Sequence, residues 1–327
     1  MGHGVPTLIL DLFSGIGGLS LGFKAAGFEV VGVELSKGRA YAYSMNVGKA
    51  VNADVRQLNF EEFRGAVGVI AGPPCRPYSI ATPKSARGQR HPEYGLDLEV
   101  LRAVRALKPR FVVVEEVPGW NPEPVTKGLR GLGYDVDYEL VAFADYGVPT
   151  MRRRWIVIAV RGASASDVFR ELHGMREAPP RPIDLIKDLP EGPDPGIDHS
   201  TYNINSCIKD LIPYIPPGKA LRDVANVVPR DLLSSCVKDV RKKHSYWLYR
   251  VPIEGLVKVV PHPRRSMMLH PTYNRMITVR ELARLYTYPD SFTFKGLTID
   301  EAMRAIADSV PPKFSQKLAN AIKALVE

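Results

Sequence analysis

Between Thr7 and Val160, short apolar runs alternate with segments of helical spacing, and this alternation most narrows the folds open to the chain. The runs are residues 7–13, 28–33, 50–54, 67–71, 111–115, 136–143 and 154–160. Bounded by Gly, Pro or acidic residues, they read as strands buried on both faces. Residues 19–26, 36–46 and 96–107 carry apolar side chains at helical spacing and lie between them. Strands joined through helices end up side by side and parallel, so the fold expected is α/β with a parallel-type sheet.

In such a sheet ligands bind beyond the carboxyl ends of the strands, so what stands there matters most. After the run 67–71 comes Gly72-Pro-Pro-Cys75. Proline has no ladder donor, so the chain must leave the sheet, and two prolines in a row hold Cys75 stiffly at the crevice. Cys75 is therefore the candidate nucleophile. Glu34 and Glu115 close two other strands. Between the first strand and its helix lies the glycine turn Ser14-Gly-Ile-Gly-Gly18, with Ser20 where the dinucleotide fingerprint has its third glycine. A smaller, phosphate-free adenosine cofactor is expected there instead of a pyrophosphate.

The three cysteines, Cys75, Cys207 and Cys236, are far apart. They make neither a disulfide framework nor a zinc spacing, so no metal site is expected, and Cys207 and Cys236 read as structural thiols. No apolar run is long enough to cross a bilayer and no secretory leader is seen, so the protein is expected in the cytoplasm, away from membranes. Glutamine occurs only at 57, 89 and 316, a depletion that hints at a thermophilic source. The formal charge is +9. Residues 238–265 hold eight basic side chains against two acidic ones, interleaved with Tyr246, Trp247 and Tyr249, a mixture suited to phosphates and bases. Residues 76–92 contain Arg76, Lys84, Arg87 and Arg90 without an acidic residue and read as a basic loop able to close over an anionic substrate. From residue 162 the strand and helix alternation gives way to Pro/Gly-punctuated segments. The expected organisation is a first domain over 1–161, a second over 162–268, and a segment 269–327 that returns to the first. A capping box at Thr278 and Glu281, and helices over 299–306 and 312–326, belong to that last segment.

Taken in order, these pieces resemble the C5-cytosine DNA methyltransferase family over almost the whole chain apart from the middle of 162–262. Asp11-Leu-Phe-Ser-Gly-Ile-Gly-Gly18 is similar to that family's cofactor loop, Gly72-Pro-Pro-Cys75 with Tyr78-Ser79 to its nucleophile motif, and Glu115-Glu-Val117 to its Glu-Asn-Val. Tyr146-Gly-Val-Pro149 with Arg152 and Arg154, His270-Pro271 through Arg280-Glu281 and Pro289-Asp290, and Ala307-Asp-Ser-Val-Pro-Pro312 resemble its later motifs. The resemblance implies a Rossmann-like, S-adenosylmethionine-dependent mixed sheet with helices on both faces, plus a smaller irregular target-recognition domain. It implies transfer of a methyl group to C5 of a flipped-out cytosine in double-stranded DNA through a covalent bond from Cys75 to C6, with S-adenosyl-L-homocysteine as product. Glu115 would act at N3 and Arg154 on the base's carbonyl oxygen, with Arg152 close by.

Phe13, Gly15, Ile16, Gly17 and Leu19 would surround the amino-acid end of the cofactor and Glu34 its ribose. Leu35, Asp54, Val55 and Leu96 would surround the adenine, with Pro74, Asp308 and Val310 completing the site. DNA would meet Arg76, Ser79, Lys84, Arg87, Arg90, Arg241, Lys242, Lys243 and Arg250. The family also implies a monomer and, as a further partner, a cognate restriction endonuclease. Methylation of cytosine in transfer RNA, or a catalytically impaired nucleic-acid-binding relative, are the alternatives. Glu116 for the family's Asn, Thr150 for Gln and Ala307-Asp308 for Gly-Asn are departures. A second carboxylate at 116, if close, would raise the pKa of Glu115; the other reading pairs Glu116 with an arginine.

Overall fold

The structure is a computed structural model that describes residues 7–326 except 80, 81, 241, 242, 244 and 261. Its strands are β1 (Leu8–Leu12), β2 (Glu29–Glu34), β3 (Ala50–Asn52), β4 (Gly68–Ala71), β5 (Phe111–Glu116), β6 (Asp135–Ala142) and β7 (Arg153–Val160). Its helices are α1 (Gly18–Ala25), α2 (Lys37–Asn46), α3 (Glu99–Leu107), α4 (Glu123–Gly131), α5 (Ala165–Gly174), α6 (Ser206–Leu211), α7 (Leu221–Val224), α8 (Arg230–Cys236), α9 (Val279–Leu285), α10 (Ile299–Asp308) and α11 (Pro312–Val326).

The strands form one sheet in the order β3-β2-β1-β4-β5-β7-β6. From β3 to β5 all neighbours are parallel, and β7 runs antiparallel to both β5 and β6. The parallel-type sheet expected from alternation is therefore mixed at one side. Residues 143–152, between β6 and β7, contain no α-helix that could carry a crossover, so β7 returns beside β6 in the opposite direction. Side chains alternate across the sheet. Leu10, Leu12, Val69, Ala71, Val112, Val114, Val157 and Ala159 share a core with Val100, Leu101 and Val104 of α3 and Val125 and Leu129 of α4. On the opposite face Phe111 stacks on Phe23 of α1 at 6.0 Å and meets Phe28 at 5.8 Å.

Contacts divide the chain into two units. The first comprises residues 1–147, 153–177 and 309–327, and the second 148–152 and 178–308. The boundaries differ from those expected at 161 and 268. Helix α5 packs on β6, β7 and α11, which keeps residues up to 177 in the first unit. The segment 269–308, expected to complete the first domain, instead builds the second: α9 and α10 pack together, and the buried Glu281 of α9 accepts from Arg275 at 2.6 Å. The capping box at Thr278 forms, with Thr278 N donating to Glu281 Oε2 at 2.8 Å.

The second unit has its own core, including Ile208, Leu211, Ile212, Ile215, Leu221, Leu248 and Leu269. Arg250 lies inside this unit, 4% exposed. It donates to the carbonyls of Ile215 (2.6 Å), Ile212 (2.9 Å), His270 (2.9 Å) and Tyr273 (3.0 Å) and to Asn274 Oδ1 (2.9 Å). The DNA contact expected of Arg250 is corrected to a core strut. Tyr249 is likewise buried, its hydroxyl accepting from Lys258 N at 3.1 Å, whereas Tyr246 is exposed.

Cys207 and Cys236, expected as separate thiols, form a disulfide between α6 and α8 with a Cα–Cα distance of 5.5 Å. Chain folding brings together residues 29 apart in sequence. Helix α8 has no buried residue, so the bond does much to hold it on α6. Cys207→Ser or a reductant is expected to lower the unfolding free energy by about 2–4 kcal/mol. Denaturant titration of oxidised against reduced protein checks this, and coincident curves would refute it.

Candidate active site

At the end of β4, Pro73 and Pro74 stop pairing and the chain turns at Cys75. The Cys75 carbonyl accepts from Tyr78 N at 3.0 Å and from Ser79 N at 2.9 Å, a tight loop that fixes the residue. Cys75 is half-buried against the core face that contains Val112 and Val114, and it lies outside the disulfide. Alongside, β5 ends at Glu115 and Glu116. Glu115 pairs across the ladder with Ile156, so Arg154, two residues back on β7, stands on the same face. Arg154 Nε lies 2.9 Å from Glu115 Oε1, and both side chains are about nine-tenths buried. The other oxygen, Oε2, stands 3.5 Å from where a Cβ on Gly72 would be, over the turn that leads to Cys75. Cys75, Glu115 and Arg154 thus gather in one unit at one end of adjacent strands.

Glu116 points the other way, as a strand residue must. Its Oε2 accepts from Val117 N at 2.7 Å, and its Oε1 has no hydrogen-bond partner among the described residues. Burial pushes its carboxyl well above the usual range. It stands on the opposite sheet face from Glu115, and its hydrogen-bond partner is the Val117 N–H and not an arginine.

The candidate cofactor residues follow the ends of β1, β2, β3 and β4, except Leu96, just before α3, and Asp308 and Val310. Phe13 takes a left-handed φ of 59°, a strained conformation for a side chain of that size. Gly17 has φ 91°, and a Cβ there would stand 2.5 Å from Val47, so only glycine fits. Above Gly15 nothing lies within 4 Å of a built Cβ, leaving open space beside the turn. Glu34 accepts from Gly15 N at 3.0 Å and from Ser36 N at 2.7 Å. A carboxylate offers about four acceptor positions, so it retains capacity for hydroxyl donors. Leu35 is exposed, Leu96 and Pro74 are half-buried, and Ile16, Leu19 and Val55 are buried. Asp54 caps the short turn at Val55–Gln57 and is gripped by Arg56, which holds its carboxyl below the usual range. Val310 is buried in the first unit, whereas Asp308 ends α10 in the second. Arg152 also belongs to the second unit. Its guanidinium donates to the carbonyls of Ala307 and, at 2.9 Å, Asp308, at the end of α10.

Beneath the glycine turn a polar network is sealed in. Ser20 Oγ donates to Asp11 Oδ2 at 2.6 Å and lies 2.8 Å from Tyr43 Oη. Burial, partly opposed by the Ser20 bond, pushes Asp11 up to about 8. Folded protein then keeps this proton while the unfolded chain loses it near pH 4, so the stabilisation is present below that pH and lost as pH rises toward 8. Asp11→Asn imitates the protonated form and should flatten the decline, leaving the variant more stable than the parent at pH 8 by about 1 kcal/mol or more. Denaturation at pH 5 and pH 8 measures it; an unchanged slope would discard the assignment.

Of the candidate DNA contacts, Arg76 is exposed and pairs with Glu93 at 3.3 Å, Lys84 and Arg90 are exposed, and Arg87 donates to the Thr82 carbonyl. Ser79 is half-buried. Lys243 is exposed, 4.8 Å above the Trp247 ring, while Arg241 and Lys242 lie outside the described residues. Among the described residues no cluster of metal-ligand side chains occurs, and no helix is long and apolar enough to cross a membrane. The sequence patterns do not single out Asp97 or Trp120, which the fold brings together at 2.9 Å.

The family description that matches, over residues 8–324, is C-5 cytosine-specific DNA methylase. The Type II methyltransferase M.FnuDI of Fusobacterium nucleatum is 27% identical over 96% of this chain and 94% of its own. M.MthTI of Methanothermobacter thermautotrophicus is 27% identical over 96% of each. Among solved structures, a DNA modification methyltransferase described as prophage-encoded, from E. coli, superposes with a TM-score of 0.67 at 26% identity over 97% of this chain and 99% of that one. The S. pombe Dnmt2 methyltransferase, at 19% identity and a TM-score of 0.62 over 97% and 98%, shares the fold.

Proposed function

This chain belongs to the C-5 cytosine-specific DNA methylases, and we propose that Cys75, Glu115 and Arg154 carry out the family's reaction in it. It is a DNA (cytosine-5-)-methyltransferase. C5 of cytosine is too weakly nucleophilic to accept a methyl group until C6 has been attacked. In this reading Cys75 Sγ bonds to C6, and the displaced electron pair moves through the ring toward N3. Glu115 gives N3 a proton or a strong hydrogen bond from Oε2, the oxygen not on Arg154, and Arg154 steadies the base's carbonyl oxygen. The observation that carries this is the double engagement of Glu115, with one oxygen on Arg154 and the other over the Gly72–Cys75 turn.

S-adenosyl-L-methionine, when bound, supplies the methyl group and becomes S-adenosyl-L-homocysteine. The open space at Gly15 and the acceptor capacity left on Glu34 fit its amino-acid end and its ribose. Phe13, Ile16, Gly17 and Leu19 line the first, and Leu35, Asp54, Val55, Pro74 and Leu96 the adenine side. After transfer a base takes the C5 proton and the bond from Cys75 to C6 breaks. The target must leave the stack, at a cost of about a few kcal/mol, before a thiol can reach it. Arg76, Ser79, Lys84, Arg87, Arg90 and Lys243 are the proposed contacts to duplex DNA. A cognate restriction endonuclease is the partner that goes with this reading, and the enzyme acts as a monomer.

Bisulfite sequencing of DNA from cells expressing the chain tests substrate and activity together. Protected cytosines in one sequence context are expected, and none with Cys75→Ala. Methylation of transfer RNA with unprotected DNA would overturn the DNA assignment.

A further inference from the structure

Behind the Cys75 turn lies a buried group that the reaction as described does not use. Asp97, 5% exposed, sits just before α3, at the far end of the basic loop that begins after Cys75. Tyr78 Oη donates to its Oδ1 at 3.2 Å, and Trp120 Nε1 donates to its Oδ2 at 2.9 Å. Tyr78 belongs to the Cys75 turn, since its backbone N–H is bound by the Cys75 carbonyl. Trp120 belongs to the turn after Glu115 and Glu116, and its own N–H is bound by the Val117 carbonyl. One side chain therefore accepts from both catalytic segments. The same two segments also touch directly: a Cβ on Gly119 would stand 2.5 Å from the Tyr78 carbonyl oxygen, so any larger residue would push the turns apart.

We propose that Asp97 is a positioning residue that, by accepting from Tyr78 and Trp120 at once, sets the distance between the Cys75 turn and the strand end that carries Glu115. The reading of Cys75 and Glu115 given above is its premise. The groups that face Asp97 fit a fixed joint. Tyr78 lies against Tyr94 with ring centroids 5.9 Å apart, so its ring is held as well as its hydroxyl. Glu116, on the same sheet face as Val112 and Val114, is the other carboxyl near Asp97, and burial pushes it well above the usual carboxylate range. Two turns held by one acceptor lose little freedom when substrate arrives, and this is how alignment of a nucleophile with its acid is obtained before the chemistry.

Tyr78→Phe, which removes one hydroxyl, Asp97→Asn, which leaves a single acceptor oxygen, and the double variant form the test. Single-turnover methyl transfer is expected to fall about 10–100-fold in each single variant, with KM for the methyl donor and for DNA within about twofold of the parent. The double variant should be no slower than the slower single, because both break one joint. Adduct formation on a 5-fluorocytosine duplex should slow by the same factor. Parent-like rates in Tyr78→Phe, losses that multiply in the double variant, or a fall in KM affinity equal to the fall in rate would each overturn the proposal. Thermal unfolding separates misfolding of Asp97→Asn, and the Tyr78→Phe rate then decides. A parent protein that forms no adduct would instead sink the reading of Cys75, and with it this proposal.

Discussion

A duplex with 5-fluorocytosine at the target should, with methyl donor present, convert the protein into a covalent adduct at Cys75. Cys75→Ala should form none and should lose at least about 10⁴-fold in methyl transfer. Fluorine at C5 cannot leave as a proton does, so elimination stops and the bond from sulfur to C6 persists. Peptide mapping of the adduct identifies the attacking residue, and a bond at any other position would remove the assignment. Glu115→Gln probes the other half of the site. It retains a hydrogen-bond donor but no transferable proton, so a loss of about 10²–10³-fold is expected, with adduct still forming slowly. It also leaves Arg154, now one-tenth exposed, without its carboxylate. Breaking such a pair costs about 3–5 kcal/mol, so thermal unfolding must accompany the kinetics. A Glu115→Gln protein that is folded and fully active would end the role proposed for that residue.

Much of this site is readable before folding because its parts are local. A strand followed by Gly-Pro-Pro-Cys needs no tertiary information to present a cysteine at a strand end, and the periodic 312–326 helix appears as expected. The glycine turn Ser14–Gly18 is equally direct, with Gly15 and Gly17 both at positive φ. What escaped depends on distant partners. Helix α4 contains Pro124, Gly128 and Gly131, which weaken its pattern, yet Val125 and Leu129 bury fully. Glu116 reads as a neighbour of Glu115 in sequence, but the two-residue period of a strand turns it to the opposite face. Asp97 reads as an ordinary acidic residue before a helix, and only the fold sets Tyr78 and Trp120 around it. The disulfide and the late boundaries follow the same rule. Cysteine spacing does not say which helices will touch, and α9, despite a legible capping box, does not announce the unit it packs in.

Arg250 shows most sharply how charge counting misleads, and its expected effect on stability is large. In the sequence it belongs to a basic run; in the fold its five donors meet four carbonyls and an asparagine from two separate segments, 212–215 and 270–274. Burial presses its pKa down from the ordinary arginine value, and the carbonyl oxygens hold the charge in place of a carboxylate. Arg250→Met would leave those acceptors buried and unmet, so the second unit should lose about 3–5 kcal/mol. Lysine has three donors on a compact head and cannot span five acceptors, so Arg250→Lys should fall between. A DNA contact would behave in the opposite way: its removal would leave unfolding unchanged and reduce the dependence of log Kd on log salt by about one charge. Urea unfolding and a salt titration of DNA binding, run on the same variant, therefore give opposite signatures for the two roles. Unchanged unfolding together with a shallower salt dependence would return Arg250 to the DNA interface.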